Sequence, residues 1–313
     1  MKYRYIILIL SLLLFLFCTR EKKIVPKKLN IKNKFSAKSI DFSFAVYGEG
    51  SNSKTNHIKI IKLISKLDVD LIINTGNIIP ANPVEKNWDN LFRMFSPISG
   101  KLARFYITPG KNERKNIDEI KNRFANISEL MKDRTYYSFT YKNALFLIIN
   151  SYMRKALYKQ HEFMLRALKN FIKTINGPVF VFSHTPVYST GPSGVSKFLT
   201  RQWLILLEHF RTNIIFSAKD RLYARCKTSD ATSTICLISG GASDWNDKCG
   251  KSGKEFEQYI CIPKPHFIYV GVKRNRIGVR VIDINNRVID SFETIVKSRR
   301  HTRKGIPRLY RPF

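Results

Sequence analysis

NIIFSAKDRLYARC, Asn213 to Cys226, begins as an apolar strand and runs into a polar turn holding Lys219, Asp220 and Arg221. In open α/β folds ligands bind at the carboxyl ends of strands, so a buried strand that empties into two cations raises a question about function. Other apolar runs stop in the same way. DFSFAVYG ends at the GEGS that starts with Gly48, DLIINTG at the TGN around Gly76, ARFYITPG at the PGKNE that follows with Gly110, and PVFVFSH at the SHTP containing His184. Glycine at such exits lets the backbone turn sharply beside a ligand, so the chemistry is expected at these turns.

Between the exits lie patterns of helical spacing: HIKIIKLISKL, NWDNLFRMF, IDEIKNRF, HEFMLRALKNFIKTI and FLTRQWLILLEHF. TYYSFTY and ALFLIINS read as a strand pair joined at Lys142 and Asn143, and the end of the chain is strand-rich through STICLISGG, HFIYVGVKR, IGVRVIDI and RVIDSFE. Alternation followed by a β-rich end predicts a mixed α/β layered domain with two packed sheets flanked by helices. No internal repeat or low-complexity block interrupts it.

The 313 residues carry 55 Lys+Arg against 23 Asp+Glu, a formal net charge of +32. Such a balance points to an anionic partner, a membrane surface or envelope polyanion, and says nothing about fold. MKYR followed by IILILSLLLFLF fits the charged and apolar parts of a secretory signal, too short to span a bilayer comfortably. Cys18 follows directly, as in the lipobox of bacterial lipoproteins, where that Cys is lipidated; Phe17 stands where a small residue is usual, so an uncleaved anchor is the alternative. Either way the rest is expected outside the cytoplasm, anchored to a bacterial membrane. The organisation expected is 1–18 signal or lipoprotein-type segment, 19–40 basic tether, 41–296 folded domain and 297–313 basic tail. Cys226, Cys236, Cys249 and Cys261 form an even set in an exported chain, which favours two disulfides with the pairing left open.

The series of exits resembles that of the calcineurin-like metallophosphoesterases, in particular their purple-acid-phosphatase-like branch. There the exits read GD, GD, GNHE, an apolar strand ending in His, and GHxH. YYSFTYKNALFLIINS, VFVFSHTPVYST and TICLISGGASDW resemble further segments of that family, in order, over Asp41 to Glu293. The resemblance implies a four-layer αββα sandwich, α/β in class, with two metal ions at the exits that bind a phosphoester and activate water.

Position by position this sequence departs from the ligands that the resemblance implies. Glu49 stands for the first Asp and Asn77 for the metal-bridging Asp. Lys111 replaces the Asn ligand, Asn112 the His thought to assist the leaving group, and Glu113 matches. His184 is intact, while Lys219 and Arg221 occupy the two His positions of the last motif. Hard divalent cations want anionic or lone-pair ligands, and a guanidinium has no acceptor. Like charges about 4 Å apart cost about 4 kcal/mol at an effective dielectric near 20. The expectation is therefore an eroded metal site with no resident cofactor, and divalent metal ions only if the chain is active.

Two fates are open for the cluster. In one, Lys111, Lys219 and Arg221 pair with Glu49, Glu113 and Asp220 as internal counter-ions. In the other, the same residues with Asn77, Asn112 and His184 bind a phosphate-like anion. The functional expectation is a non-catalytic binding or scaffold protein at an envelope surface. The alternatives are an active phosphoesterase on a single metal held by Glu49, His184 and Glu113, or with ligands recruited from elsewhere, and a polycationic surface binder acting through its basic termini. Nucleic acid is set aside as a partner because the chain is expected to be exported. His57, His161, His209 and His266 read as packing or surface, Trp88 as core, and GKSG at Gly250 as a turn rather than a phosphate loop.

Overall fold

The computed structural model describes residues 40–51, 53, 55–153, 157–228, 234–250 and 256–296. Contacts divide the chain into Met1–Lys34 and Phe35–Phe313, and the described residues belong to the second unit. The expected signal segment with Cys18, the tether up to residue 39 and the basic tail lie outside the described residues.

One sheet contains β1 (Phe42–Tyr47), β2 (Leu71–Asn74), β3 (Phe105–Ile107), β11 (His266–Lys273), β12 (Arg276–Asp283) and β13 (Val288–Ile295), in the order β13-β12-β11-β1-β2-β3. The other contains β4 (Tyr137–Tyr141), β5 (Ala144–Ile148), β6 (Val179–Phe182), β7 (Ile214–Ser217), β8 (Tyr223–Thr228), β9 (Ile235–Ser239) and β10 (Phe256–Ile262), in the order β10-β8-β9-β7-β6-β5-β4. Within each sheet a parallel centre, β1 with β2 and β3, and β5 with β6, β7 and β9, sends its strand exits to one end.

Period-two alternation decides which side chains face which layer. Phe146, Phe180, Phe182 and Phe216 meet Phe44 of the opposite sheet, at ring separations of 5.2, 5.0, 6.4 and 6.0 Å. Edge-to-face pairs of this kind contribute about 0.5–1.5 kcal/mol each beyond the area they bury. The intervening residues Leu145, Leu147, Val179, Val181 and Ile215 pack instead with Met164, Leu168 and Phe171 of helix Leu157–Thr174, and with Trp203, Leu206 and Leu207. On the far side of the first sheet, Tyr47 turns to His57 of helix Asn56–Ser65, their rings 5.2 Å apart. The layers are thus helix, sheet, sheet, helix, as expected.

One strand goes beyond the sequence reading and one reading is corrected. After the polar turn that follows β7, Tyr223 to Thr228 forms β8 between β9 and β10. Its Arg225 is held there by Asp290, with Nε to Oδ2 at 2.8 Å, and the same carboxylate accepts from the Tyr223 hydroxyl. Of the four cysteines, Cys249 and Cys261 form a disulfide, whereas Cys226 and Cys236 are buried free thiols facing each other across β8 and β9. Both lie in the apolar cluster beneath the outer helices, where burial pushes the Cys226 thiol up to about 12 and leaves little thiolate to react. Among the described residues no helix is long and apolar enough to cross a membrane.

Candidate functional site

Three of the exits turn through the left-handed region at residues other than glycine: Glu49 with φ 65°, Asn77 with φ 55° and Lys219 with φ 62°. Such backbone costs on the order of 1 kcal/mol for a residue with a Cβ, least for Asn. Glycines beside them permit the close approach of the two sheets. A Cβ on Gly76 would lie 2.6 Å from Nδ1 of His184, and one on Gly110 would lie 2.7 Å from the Glu113 carboxylate.

Glu113, which matches the family motif, is fully buried, and both of its oxygens are occupied by the backbone. Oε2 accepts from the amides of Asn77 and Gly110 at 2.8 Å, and Oε1 from that of Ile78 at 2.8 Å. Burial raises its pKa above the usual carboxylate range and these amides pull it down, with burial the larger influence. Asn77 carries the network onward. Its Nδ2 donates to Glu49 Oε1 at 2.9 Å, and its Oδ1 accepts from the Asn112 amide at 3.1 Å. The Asn112 side chain donates to the Ile79 carbonyl at 2.7 Å and to Ser51 Oγ at 3.1 Å.

His184 is fully buried and points Nδ1 at the Thr75 carbonyl, 2.9 Å away, so Nδ1 carries the proton and Nε2 a lone pair. Nε2 lies 3.3 Å from Glu49 Oε1 yet makes no hydrogen bond in the arrangement of described residues. This contact is a neutral pair rather than an ion pair. Burial, helped by the Lys219 ammonium, holds His184 down to about 4. Burial and the nearby Glu113 push Glu49 up to about 8, against the Asn77 hydrogen bond and the Arg221 charge.

The cations do not enter this network, contrary to the expected internal counter-ion pairing. Lys111 and Lys219 are exposed. Arg221 turns to Asp247, donating from Nη2 to Oδ1 at 2.8 Å and from Nε to Oδ2 at 3.3 Å, and lies over the Trp245 ring at 5.1 Å. Asp220 is buried and bonded to Ser189 and Ser193 instead of a lysine. A long cation gains more from a two-point carboxylate contact and an aromatic face at the rim than from unpaired burial. Asp247, Trp245 and Thr75 escaped the sequence reading. None lies in a family motif at a ligand position, and Asp247 stands 26 residues beyond Arg221.

The donor set does not fit a dimetal centre. Glu113 has both oxygens engaged by buried amides, Asn77 Oδ1 accepts from the Asn112 amide, and the replaced positions present ammonium, guanidinium or amide groups. Glu49 and Nε2 of His184 remain, and among the described residues no cluster of three or more His, Cys, Asp or Glu could hold a metal ion.

Two sheets face to face, helices outside, and exits converging at one end define the fold of the calcineurin-like metallophosphoesterases. The comparisons bear this out. GAP50, the anchor in the inner membrane complex of Plasmodium, aligns with TM-score 0.66 at 19% identity over 83% of this chain and 90% of its own. The purple acid phosphatase PPD1 of yellow lupin aligns with TM-score 0.66 at 14% identity over 80% of this chain, which spans 53% of the phosphatase. A dimetal phosphatase from Danio rerio aligns with TM-score 0.57 at 10% identity over 82% of this chain and 100% of its own. No protein-family model and no curated protein matches the chain.

Proposed function

We propose that this chain is a non-catalytic binding or scaffold protein that keeps the phosphoesterase fold and has lost its metal chemistry. The observation that carries the reading is the state of Glu113: the one acidic residue that matches the family motif is turned inward as an acceptor for three backbone amides. A carboxylate so used has both oxygens committed to buried backbone donors, and drawing it towards a metal would orphan them. GAP50 is described as an anchor, so one protein of this fold serves in that capacity. Tethering through the N-terminal segment and attraction of the basic chain to membrane or envelope polyanions belong to the same proposal.

A single-metal phosphoesterase is the second reading, and it is favoured by one observation, the unpartnered Nε2 of His184 beside Glu49. Elemental analysis of the purified protein, combined with a general phosphoester assay in added manganese, zinc or iron, separates the two. The scaffold reading expects substoichiometric metal and no turnover. Stoichiometric metal with hydrolysis that disappears in His184→Ala overturns it.

A further inference from the structure

We infer that residues 244–250 form a redox-released strap, hinged at Asp244 and latched by the Cys249–Cys261 disulfide, which a dithiol opens and reoxidation closes. Such a device lies beyond the function proposed above and serves a scaffold or an enzyme alike.

The strap leaves β9 in turns and crosses the strand-exit end. The chain up to its hinge is fixed to other elements. The Ala242 amide donates to the Gly48 carbonyl at 3.0 Å, and the Ser243 carbonyl accepts from Asn56 Nδ2 at 2.8 Å. Asp244 Oδ1 accepts from Ser53 Oγ at 2.7 Å and from the Asn56 amide, at the start of helix Asn56–Ser65, at 3.0 Å. Beyond Asp244 the hold is looser. Trp245, Asn246, Lys248, Cys249 and Gly250 are exposed, so little apolar burial anchors this part of the chain. It is held at the rim instead. Arg221 donates to Asp247 from its amide and from Nη2, both at 2.8 Å, and the Asp247 amide donates to the Arg221 carbonyl at 3.0 Å. The Gly250 amide donates to the Thr190 carbonyl at 2.5 Å. Exposed segments with few buried contacts open locally without unfolding the rest.

Cys261 is the firm end of the latch. It lies on β10, pairs with Ala224 of β8 and packs against Leu222, Ala224 and Ile238. Cys249, 12 residues earlier, is exposed on the strap. A disulfide stabilises chiefly by limiting the open states of the loop it closes, so cutting this one frees Cys249 while Cys261 stays in the sheet. Exposed disulfides are the ones that exchange readily. Cys226 and Cys236 stay out of the exchange, because both are buried and burial raises their thiols, that of Cys226 to about 12. A thiolate of the dithiol attacks Sγ of Cys249, the S–S bond breaks, and Cys261 leaves as a thiolate that takes a proton. The second thiol of the reagent then displaces Cys249, which takes the other proton, and the dithiol ends as its own disulfide. Opened in this way, the strap withdraws Asp247 and Trp245 from Arg221, so the exit end presents different surfaces in its two redox states.

Hydrogen exchange on the full chain, before and after dithiothreitol under native conditions, tests this, with thiol labelling to locate the reduced pair. Labels are expected at Cys249 and Cys261 and not at Cys226 or Cys236. The amides of Arg221, Asp247 and Gly250 should exchange on the order of a hundredfold faster after reduction, the size expected for releasing a loop of this length. Those of Ala242 and Asn56, on the fixed side of the hinge, and of β6 should keep their rates, and glutathione disulfide should restore protection. Cys249→Ser and Cys261→Ser should each show the open strap without reductant and no response to it. A latched strap is excluded if the bond survives dithiothreitol in the folded chain, if the three amides keep their rates once it is cut, or if Ala242, Asn56 or β6 opens with them. Each of these is read on the parent chain, so a variant that folds poorly does not blunt the test.

Discussion

The strand-exit end has an inner half and a rim, and the two handle charge in opposite ways. Inside, at the exits of β1, β2, β3 and β6, Glu49 and His184 are neutralised by burial, and Glu113 is tied to backbone amides. At the rim, after β7, Lys219 stays exposed and Arg221 leans away onto Asp247 and Trp245. At the positions where the resemblance implies metal ligands, the interior is kept neutral by protonation and hydrogen bonding rather than by inserted cations, because burying an unpaired ammonium or guanidinium costs more than either.

Titration puts that contrast to its hardest test. His57, His184 and His266 are buried and each is held from 6.5 down to about 4. The unfolded chain therefore takes up these protons first, so stability is full above about 6.5 and is lost as pH falls through about 4, on the order of 3 kcal/mol for each histidine. Glu49 runs the other way. Its pKa is raised from 4.5 to about 8, so its contribution is present below 4.5 and is lost as pH rises through about 8. Urea denaturation across this range should give maximum stability near 6.5, and Glu49→Gln should flatten the alkaline side and steepen the fall between 6.5 and 4.5. A stability profile without an acid-side fall would show that the inner half is not kept neutral.

Glu113→Ala is the next test in size. It strands the amides of Asn77, Ile78 and Gly110 in a buried place, and each orphaned donor costs about 1–3 kcal/mol. A loss of about 3 kcal/mol or more in the denaturation free energy is expected. A near-neutral result would mean that Glu113 is free for other work, including a metal, and would weaken the scaffold reading at its base.

How far the sequence shows all this depends on the range of the interaction. Val179, Phe180, Val181 and Phe182 announce a strand buried on both faces, and the structure sorts them by period two into the inter-sheet core and the outer helical layer. Motif positions such as Glu49, Asn77, Asn112, Glu113 and His184 do converge, because parallel strands bring their exits to one end. What the residues do there was less legible. The matching Glu113 reads as a ligand and acts as a backbone acceptor, since which amides surround it depends on loop geometry. Arg221 reads as a charge inside the pocket and faces the rim, because its partner Asp247 lies in a turn that no periodicity marks. Cys226 and Cys236 read as half of a disulfide set. Their opposition across β8 and β9 is visible only once the register is known, and the thiols remain unbonded.

Arg221→Ala is the smallest of these effects and the sharpest on the contrast itself. Were the guanidinium the obstacle to metals, its removal would open the site to them and would remove a buried charge. In the arrangement found, the side chain is 31% exposed and paired with Asp247, and such partly exposed pairs contribute about 1 kcal/mol or less, with a similar increment from stacking on Trp245. The substitution should therefore lower stability by about 1 kcal/mol, lessened further by salt, and should leave metal uptake unchanged, because the missing ligands are carboxylates and imidazoles that the substitution does not restore. Uptake of stoichiometric zinc or manganese by Arg221→Ala would place the electrostatic obstacle at the rim after all and would make the inner network secondary.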